Sequence, residues 1–348
     1  MLCRIDDSCF ERGAIEELIG LLSIISLSSG INSILVRPKS LKTGSFKSLP
    51  QSLQNIIKQS INVNMTLPPY RGEVIDVCMN GHSEIVKKVF NIQEAIDYVT
   101  LPMYVYVENI QNDGYFLNCI IKHFGSTRIK KALEKNKILP QHLGGCGSTK
   151  AIFSRKEQDF KNKIKFFRYY VLWDSDREFF GDENHKYDRA ISDLNKWNIK
   201  YHILEKREAE NYLPDDAIQE LCGSNNGWFN AFRHLTDEQK DFYDMQCGFK
   251  IKNKFRSSYT PEQDPDKMVV CTACDRNFMK EEIKKLYSTI SDSNWNYLSN
   301  GSGIANFKER LSKQFEESSY VHRQSLQKRM SQNPNELSDI ASELEKIL

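Results

Sequence analysis

Apolar segments of strand length alternate with segments of helical length between residues 101 and 215. The run Arg168-Tyr-Tyr-Val-Leu-Trp173 is apolar and rich in residues that favour strands. Such alternation predicts a parallel, doubly wound sheet with helices on its faces, and hence an α/β fold. The predicted strands cover residues 103–108, 137–143, 168–173 and 200–204, and the predicted helices cover 114–124, 148–164 and 186–197.

The regions on either side lack this alternation. Residues 1–100 are predicted to be mainly helical, because residues 15–25 have helical spacing and residues 83–90 are amphipathic. Residues 216–348 are polar, with helical spacing in several segments. We therefore expect a middle domain over 101–215 with helical extensions before and after it. The N-terminal extension is expected to serve packing, oligomerisation or docking.

Composition excludes some classes of protein. The 348 residues are 40% hydrophobic and 27% charged, which is typical of a globular domain in water. No apolar run is long enough to span a bilayer, and Glu16 and Glu17 interrupt the apolar segment 14–27. Nine irregularly spaced cysteines favour thiols in a reducing cytoplasm. The expectation is a cytoplasmic protein with no membrane partner.

Acidic residues follow three of the four predicted strands. In an extended chain, side chains at i and i+2 point the same way, and parallel strands bring their carboxyl ends to one edge. Residues that are far apart in the chain are therefore expected to converge at this edge. They are Glu108 at the end of the first strand, Asp174 and Asp176 after the third, and Glu205, Glu208 and Glu210 after the fourth.

A cluster of carboxylates at one edge predicts a divalent cation. Four or more carboxylates repel each other unless a cation lies among them. Mg²⁺ prefers carboxylate oxygens, water and substrate phosphates as ligands, and no cluster of histidines or thiolates competes for the site. Two such ions can stabilise the attacking and leaving oxygens in phosphodiester cleavage.

The order of these motifs resembles the Toprim domain, which topoisomerases, primases and the overcoming-lysogenization-defect (OLD) nucleases share. Val107-Glu108-Asn109 with Asp113-Gly114 is similar to its first motif. A glycine turn, Gly144 to Gly147, and the Asp174-Ser-Asp176 motif follow in the expected order. Glu208-Ala-Glu210-Asn211-Tyr212-Leu213 is similar to an element of stand-alone and OLD-type Toprim nucleases in bacterial anti-phage systems.

The resemblance implies a Toprim-like sheet and a nuclease that depends on Mg²⁺ or Mn²⁺. The implied metal ligands are Glu108, Asp113, Asp174 and Asp176, and Glu210 is implied to assist in catalysis. This chain departs from the family in its first motif, where Asn109 replaces the usual glycine. The second acidic position holds Asn112, with Asp113 one residue further on, so either of the two could face the metal.

Glycines and basic residues are candidates for binding the substrate phosphates. Gly145 and Gly147 either form only a tight turn or offer backbone amides to a phosphate before the helix that Ser148 is expected to cap. Lys206, Arg207, Lys250 and Lys252 either bind phosphates or belong to solvated faces. Cys271-Thr-Ala-Cys274 has no second cysteine pair and is a weak zinc motif.

The resemblance also bears on partners. OLD proteins carry an ATPase on the same chain, whereas Gly144-Gly-Cys-Gly-Ser-Thr-Lys150 has the residue types of a Walker A motif in the wrong order. The implied partners are therefore DNA or RNA and a separate ABC/SMC-type ATPase, with a homo-oligomer as a further possibility. Two alternatives stay open. One is a non-catalytic nucleic-acid sensor, and the other is a haloacid-dehalogenase-like phosphotransferase, which would use Asp174 as its nucleophile.

Overall fold

The protein is an α/β structure with two four-stranded parallel sheets flanked by helices. The computed structural model describes residues 1–28, 30–66, 72–81, 83, 87–159, 166–183, 185–249, 280–330 and 332–348. The strands of the first sheet are β1 (Leu2–Ile5), β2 (Ser33–Val36), β3 (Val74–Val77) and β4 (Val89–Phe90). The helices of this region are α1 (Ile15–Leu27), α2 (Gly44–Ser48), α3 (Gln51–Thr66) and α4 (Ile92–Thr100), with 3₁₀ turns at Asp7–Phe10, Arg12–Ala14 and Pro38–Lys42.

Residues 1–100 contain a parallel sheet besides their helices, which the prediction of a mainly helical region did not include. Its order is β2-β1-β3-β4, and all three pairings are parallel. The sheet escaped detection because its strands are two to four residues long, too short for a period-two pattern to be read. Residues 83–90 were expected to be helical, but Val89 and Phe90 pair with β3, and residues 84–86 lie outside the described residues.

The second sheet confirms the parallel sheet expected for the middle region. Its order is β6-β5-β7-β8, and every pairing is parallel. Its strands are β5 (Met103–Val107), β6 (Ile138–His142), β7 (Tyr169–Trp173) and β8 (Lys200–Ile203). The helices between them are α5 (Ile110–Phe124), α6 (Thr127–Glu134), α7 (Thr149–Asp159) and α8 (Asp188–Lys196), with 3₁₀ turns at Cys146–Ser148 and His185–Tyr187.

Strand β7 is buried on both faces, as a central parallel strand should be. Its residues alternate between two apolar clusters. Tyr170 and Leu172 belong to the larger cluster, and Tyr169, Val171 and Trp173 belong to the smaller one. Trp173 is 1% exposed and packs against the ring of Tyr187, so it is a core residue. The residues that follow β7 therefore start from a rigid position.

The C-terminal region is helical where the structure describes it, as predicted. A 3₁₀ turn at Ala209–Tyr212 leads into α9 (Asp215–Cys222), α10 (Gly227–Arg233) and α11 (Asp237–Phe242). The remaining helices are α12 (Glu281–Leu286), α13 (Asp292–Leu298), α14 (Phe307–Glu317), α15 (Arg323–Arg329) and α16 (Glu336–Ile347). Helices α14 and α16 pack on α5, so this region shares the core of the second sheet.

None of the helices in the described ranges combines the length and the apolar character that crossing a bilayer requires.

Candidate metal and phosphate site

An acidic cavity of about 330 Å³ lies at the carboxyl edge of the second sheet. Residues from five separate parts of the chain line it, and four of these parts follow the strands of the sheet, as parallel topology predicts. The cavity therefore brings together every catalytic and metal-ligating residue that the sequence predicted. Its lining consists of Glu108, Asn109, Asn112, Asp113, His142, Gly144, Asp174, Asp176, Glu210 and Lys308.

The residue after β5 and the first turn of α5 place two acids, Glu108 and Asp113, in the cavity. Asn109 caps α5, because its side chain accepts hydrogen bonds from the backbone N–H groups of Gln111 and Asn112. The carboxylate of Asp113 accepts the backbone N–H of Asn109 at 2.8 Å. Burial raises the pKa of Asp113 to about 6 against the lowering effect of this bond, and Glu108 adds to the rise. Asn112 and Asp113 both line the cavity, and Asp113 is the one that adds negative charge.

Asp174 is held in place at the end of β7. One oxygen of its carboxylate accepts the backbone N–H of Ala209 at 2.9 Å, which ties β7 to the segment after β8. Its backbone carbonyl accepts a hydrogen bond from the hydroxyl of Tyr187. Burial raises the pKa of Asp174 well above its ordinary range, and the charges of Glu210 and Asp113 raise it further. Ionising this carboxyl is therefore costly without a cation.

Asp176 reaches the same cavity through a turn, since the extended strand ends before it. Its φ is 53°, in the left-handed region, which non-glycine residues seldom occupy. Its backbone N–H donates to the carbonyl of Arg207 at 2.9 Å, and its carboxylate pairs with Lys186. The Asp174–Asp176 pair lines the cavity as predicted, although the backbone geometry differs from the extended chain on which the prediction was based.

The three glutamates after β8 have different positions. Glu210 is 4% exposed and lines the cavity. Burial raises its pKa to about 8, and the neighbouring Glu208 contributes. Glu208 forms an ion pair with Lys308 at 3.2 Å. Glu205 lies away from the cavity and accepts a hydrogen bond from the amide of Asn333 at 2.7 Å. Only Glu210 of the three belongs to the cavity lining.

Lys308 is a charged lining residue of the cavity that the sequence analysis did not predict. It lies in the first turn of α14, 100 residues after Glu208, to which it binds. Although burial lowers its pKa, Glu208, Glu210 and Asp174 raise it above the ordinary lysine value, so its ammonium stays charged. No motif marks this lysine in the sequence. It enters the site only because α14 packs on α5.

Lys206 and Arg207 do not face the cavity, which corrects their assignment as phosphate-binding residues. Lys206 is 4% exposed and donates to Asp241 at 2.5 Å. Arg207 pairs with Asp244 at 3.3 Å. Lys206 is paired with the buried Asp241 and Arg207 with the partly buried Asp244, and a sequence does not reveal such pairs. Lys250, Lys252, Cys271 and Cys274 lie outside the described residues.

The glycine turn after β6 adjoins the acids. Gly144 and Gly145 have φ values of 70° and 83°, a conformation that L-residues rarely adopt. A methyl group at Gly145 would lie 3.9 Å from an oxygen of Glu108, whereas Gly147 has no atom within 4 Å of such a group. A 3₁₀ turn at Cys146–Ser148 precedes α7, so Thr149 begins the helix that Ser148 was expected to cap. Phosphate binding by Gly145 and Gly147 stays a prediction.

The donor chemistry of the cavity suits a hard divalent cation. Five carboxylates line it, and burial together with mutual repulsion raises the pKa of three of them. A cation relieves such repulsion, and Lys308 does so in part. Within the described ranges, no three acidic, histidine or cysteine side chains are placed closely enough to hold one ion as they stand. Metal binding would therefore draw the carboxylates together.

No protein-family model, curated protein or solved structure matches the chain. The functional argument therefore depends on the geometry of the cavity and on the sequence motifs that line it.

Replacing Gly145 by alanine is expected to destabilise the protein by about 1–3 kcal/mol, because an alanine is strained in this backbone conformation. The added methyl group itself meets no close atom. The matched control is Gly147→Ala, which has neither a positive φ nor a neighbour, and it should change stability by less than about 0.5 kcal/mol. Urea unfolding measures both variants. Equal effects would contradict the strained turn.

Without divalent cations, stability is expected to fall as the pH rises from about 5 to about 8. The folded state keeps protons on Glu210 and Asp113, whose pKa values are about 8 and about 6, while the unfolded state has already released them. Above these values the folded protein must accommodate the repelling charges. Glu210→Gln should flatten the slope, and melting temperatures measured in EDTA at each pH give the comparison.

Mn²⁺ should raise the melting temperature more at pH 8 than at pH 6, because it binds the ionised carboxylates. Asp174→Asn should lose most of this increase. The control is Glu183→Gln, whose side chain is 85% exposed and outside the cavity, and it should keep the increase. A Mn²⁺ shift of undiminished size in Asp174→Asn would show that the ion binds elsewhere.

Proposed function

We propose that the protein is a Mg²⁺- or Mn²⁺-dependent nuclease of the Toprim type that hydrolyses phosphodiester bonds in DNA or RNA. The observation that carries this proposal is the convergence of Glu108, Asp113, Asp174, Asp176 and Glu210 around one cavity at the carboxyl edge of a parallel sheet. The order of the Toprim-like motifs along the sequence supports it independently.

The chain's own residues have distinct tasks in this proposal. Glu108, Asp113, Asp174 and Asp176 would hold the metal, which supplies Lewis-acid stabilisation of the charge on the phosphate and activates water. The bond from Ala209 fixes the orientation of the Asp174 carboxylate. Buried Glu210 can hold or release a proton near neutral pH, since its pKa is about 8.

Lys308 provides the positive charge that the predicted lysines do not. Its ammonium lines the cavity together with the acids and stays charged there. A fixed cation aimed at the phosphate stabilises the extra negative charge of the transition state. We assign this role to Lys308 in place of Lys206 or Arg207, which are turned into the protein.

The biological setting follows from the resemblance alone. OLD-type Toprim nucleases act in bacterial anti-phage systems together with an ATPase. We propose that this chain has the same kind of role, with the ATPase on a separate polypeptide. Its activity would then depend on that partner for release or activation.

Asp174→Asn and Glu108→Gln are each expected to lower cleavage by about 100-fold or more, since each removes a metal ligand. The assay incubates the purified protein with plasmid DNA and with total tRNA, in Mg²⁺, in Mn²⁺ and in EDTA. Glu183→Gln, with an exposed side chain outside the cavity, should cleave like the wild type.

Three results, two from this assay and one from analysis of the protein for bound phosphate, would contradict the proposal. Unchanged cleavage by Asp174→Asn would mean that the catalytic centre lies elsewhere. Nucleic-acid binding without cleavage in either metal would favour the non-catalytic sensor. A phosphate covalently trapped on Asp174 would favour the phosphotransferase.

Lys308→Gln is expected to lower kcat by about 100-fold with a smaller change in KM, because the charge acts mainly in the transition state. Lys308→Arg should restore part of the rate. The matched control is Lys313→Gln on the same helix, whose lysine pairs with the exposed Glu309 at 2.9 Å, and it should cleave like the wild type. An effect confined to KM would assign Lys308 to substrate binding only.

A further inference from the structure

A second cavity, of about 600 Å³, adjoins the loop that carries Asp174 and Asp176. Its volume is within the range of small-molecule sites, about 300–1,000 Å³. Asp176 lines the acidic cavity, and the next residue, Arg177, lines the second one. Apolar side chains form part of its wall, namely Ile203, Phe242 and Met330.

The buried charges in this wall already have partners. Lys206 and Asp241, with side chains 5% and 2% exposed, pair with each other at 2.5 Å. The carboxylate of Glu336 accepts hydrogen bonds from Glu205 N–H at 2.8 Å and from the Tyr212 hydroxyl at 2.5 Å, and it lies 2.9 Å from His202 Nε2. The Lys206 ammonium is therefore paired with Asp241, and the Glu336 carboxylate is already hydrogen-bonded, so the floor of the cavity offers no unpaired cation to a bare phosphate.

The groups at the rim are of a different kind. The ring of Phe180 is 69% exposed, an unusual state for a large apolar side chain. No hydrogen bond or ion pair with another described residue engages the guanidinium of Arg177 or the amide of Gln332. The rim therefore combines an aromatic face, a planar cation and an amide with both a donor and an acceptor, all beside an apolar wall.

We propose that this second cavity binds one unstacked nucleobase of the nucleic-acid strand whose phosphate lies in the acidic cavity. A base is flat and apolar on its faces, which suits Phe180 and the apolar wall. Its polar edge suits Gln332 and the remaining oxygen of Glu205. Arg177 follows Asp176 directly, and consecutive Cα atoms are about 3.8 Å apart, so Arg177 is positioned to contact the backbone between the base and the acidic cavity.

The consequence is that the protein selects its cleavage position by the base next to the cut. This inference rests on the proposed nuclease function and names the part of the substrate that would give it sequence preference. The inference assigns the base to a nucleic-acid strand, although the base of a free nucleotide could make the same contacts. The two sources are separated by comparing oligonucleotides with mononucleotides.

The test measures binding in EDTA, so that it does not depend on cleavage. Short single-stranded DNA and RNA oligonucleotides are titrated by fluorescence anisotropy, with either a full set of bases or one abasic position moved along the strand. We expect one abasic position to weaken binding by about tenfold, and Phe180→Ala to weaken binding of the intact strand by a similar factor. In Phe180→Ala, the abasic position should have no further effect.

The matched control is Tyr320→Ala, which removes a ring that is 47% exposed and lies outside the cavity lining. It should bind like the wild type, and both variants should melt like the wild type. The inference is overturned if no abasic position weakens binding, or if Phe180→Ala binds the intact strand normally. It is also overturned if the four nucleoside monophosphates protect the protein against melting while the intact and abasic strands bind equally, because the cavity would then serve a free nucleotide.

The nuclease proposal fails by a different result. Base-dependent binding that is lost in Phe180→Ala, with no cleavage in Mg²⁺ or Mn²⁺, would support the base site and contradict the nuclease proposal.

Discussion

The crowding of carboxylates at one edge of the second sheet is the constraint on which the rest of the site depends. Asp113 and Asp174 are partly buried beside the buried Glu210, and the pKa of each carboxyl is raised as a result. Such a cluster costs stability unless a proton or a cation compensates it. A fold that served stability alone would disperse these charges. Their retention in a cavity supports the proposal that this site binds a charged ligand.

An apolar contact brings the compensating charge to this cluster. The ring centroid of Phe116 on α5 lies 5.2 Å from the ring centroid of Tyr212 and 5.0 Å from the ring centroid of Phe315 on α14. Each ring shares an element with a residue of the acidic cavity. Phe116 lies on α5 with Asp113, Tyr212 lies in the 3₁₀ turn with Glu210, and Phe315 lies on α14 with Lys308. Packing of three aromatic side chains therefore sets the relative positions of two acids and one lysine. The C-terminal helices thus belong to the site as much as the sheet does.

The sequence predicts those parts of the fold and of the site whose signal lies in a contiguous run of residues. Each strand of the second sheet is predicted from a contiguous run, and acidic residues lie near the ends of three of them, as Asp174 does after Tyr169–Trp173. Parallel topology then implies convergence without further information. The first sheet has strands of two to four residues, which carry no readable period. Lys308 and Lys206 look alike in sequence, and only tertiary packing directs one to the cavity and the other to Asp241.

The loops after β7 and β8 are linked in a way that connects the two cavities. The Ser175 hydroxyl donates to the carbonyl of Lys206 at 2.7 Å, and the N–H of Asp176 donates to the carbonyl of Arg207 at 2.9 Å. The N–H of Arg207 in turn donates to the carbonyl of Asp241 at 2.9 Å. The buried Lys206–Asp241 pair anchors this ladder from behind. Because these hydrogen bonds join the loops that line the two cavities, a ligand in the second cavity would act on the positions of Asp174 and Asp176 through them.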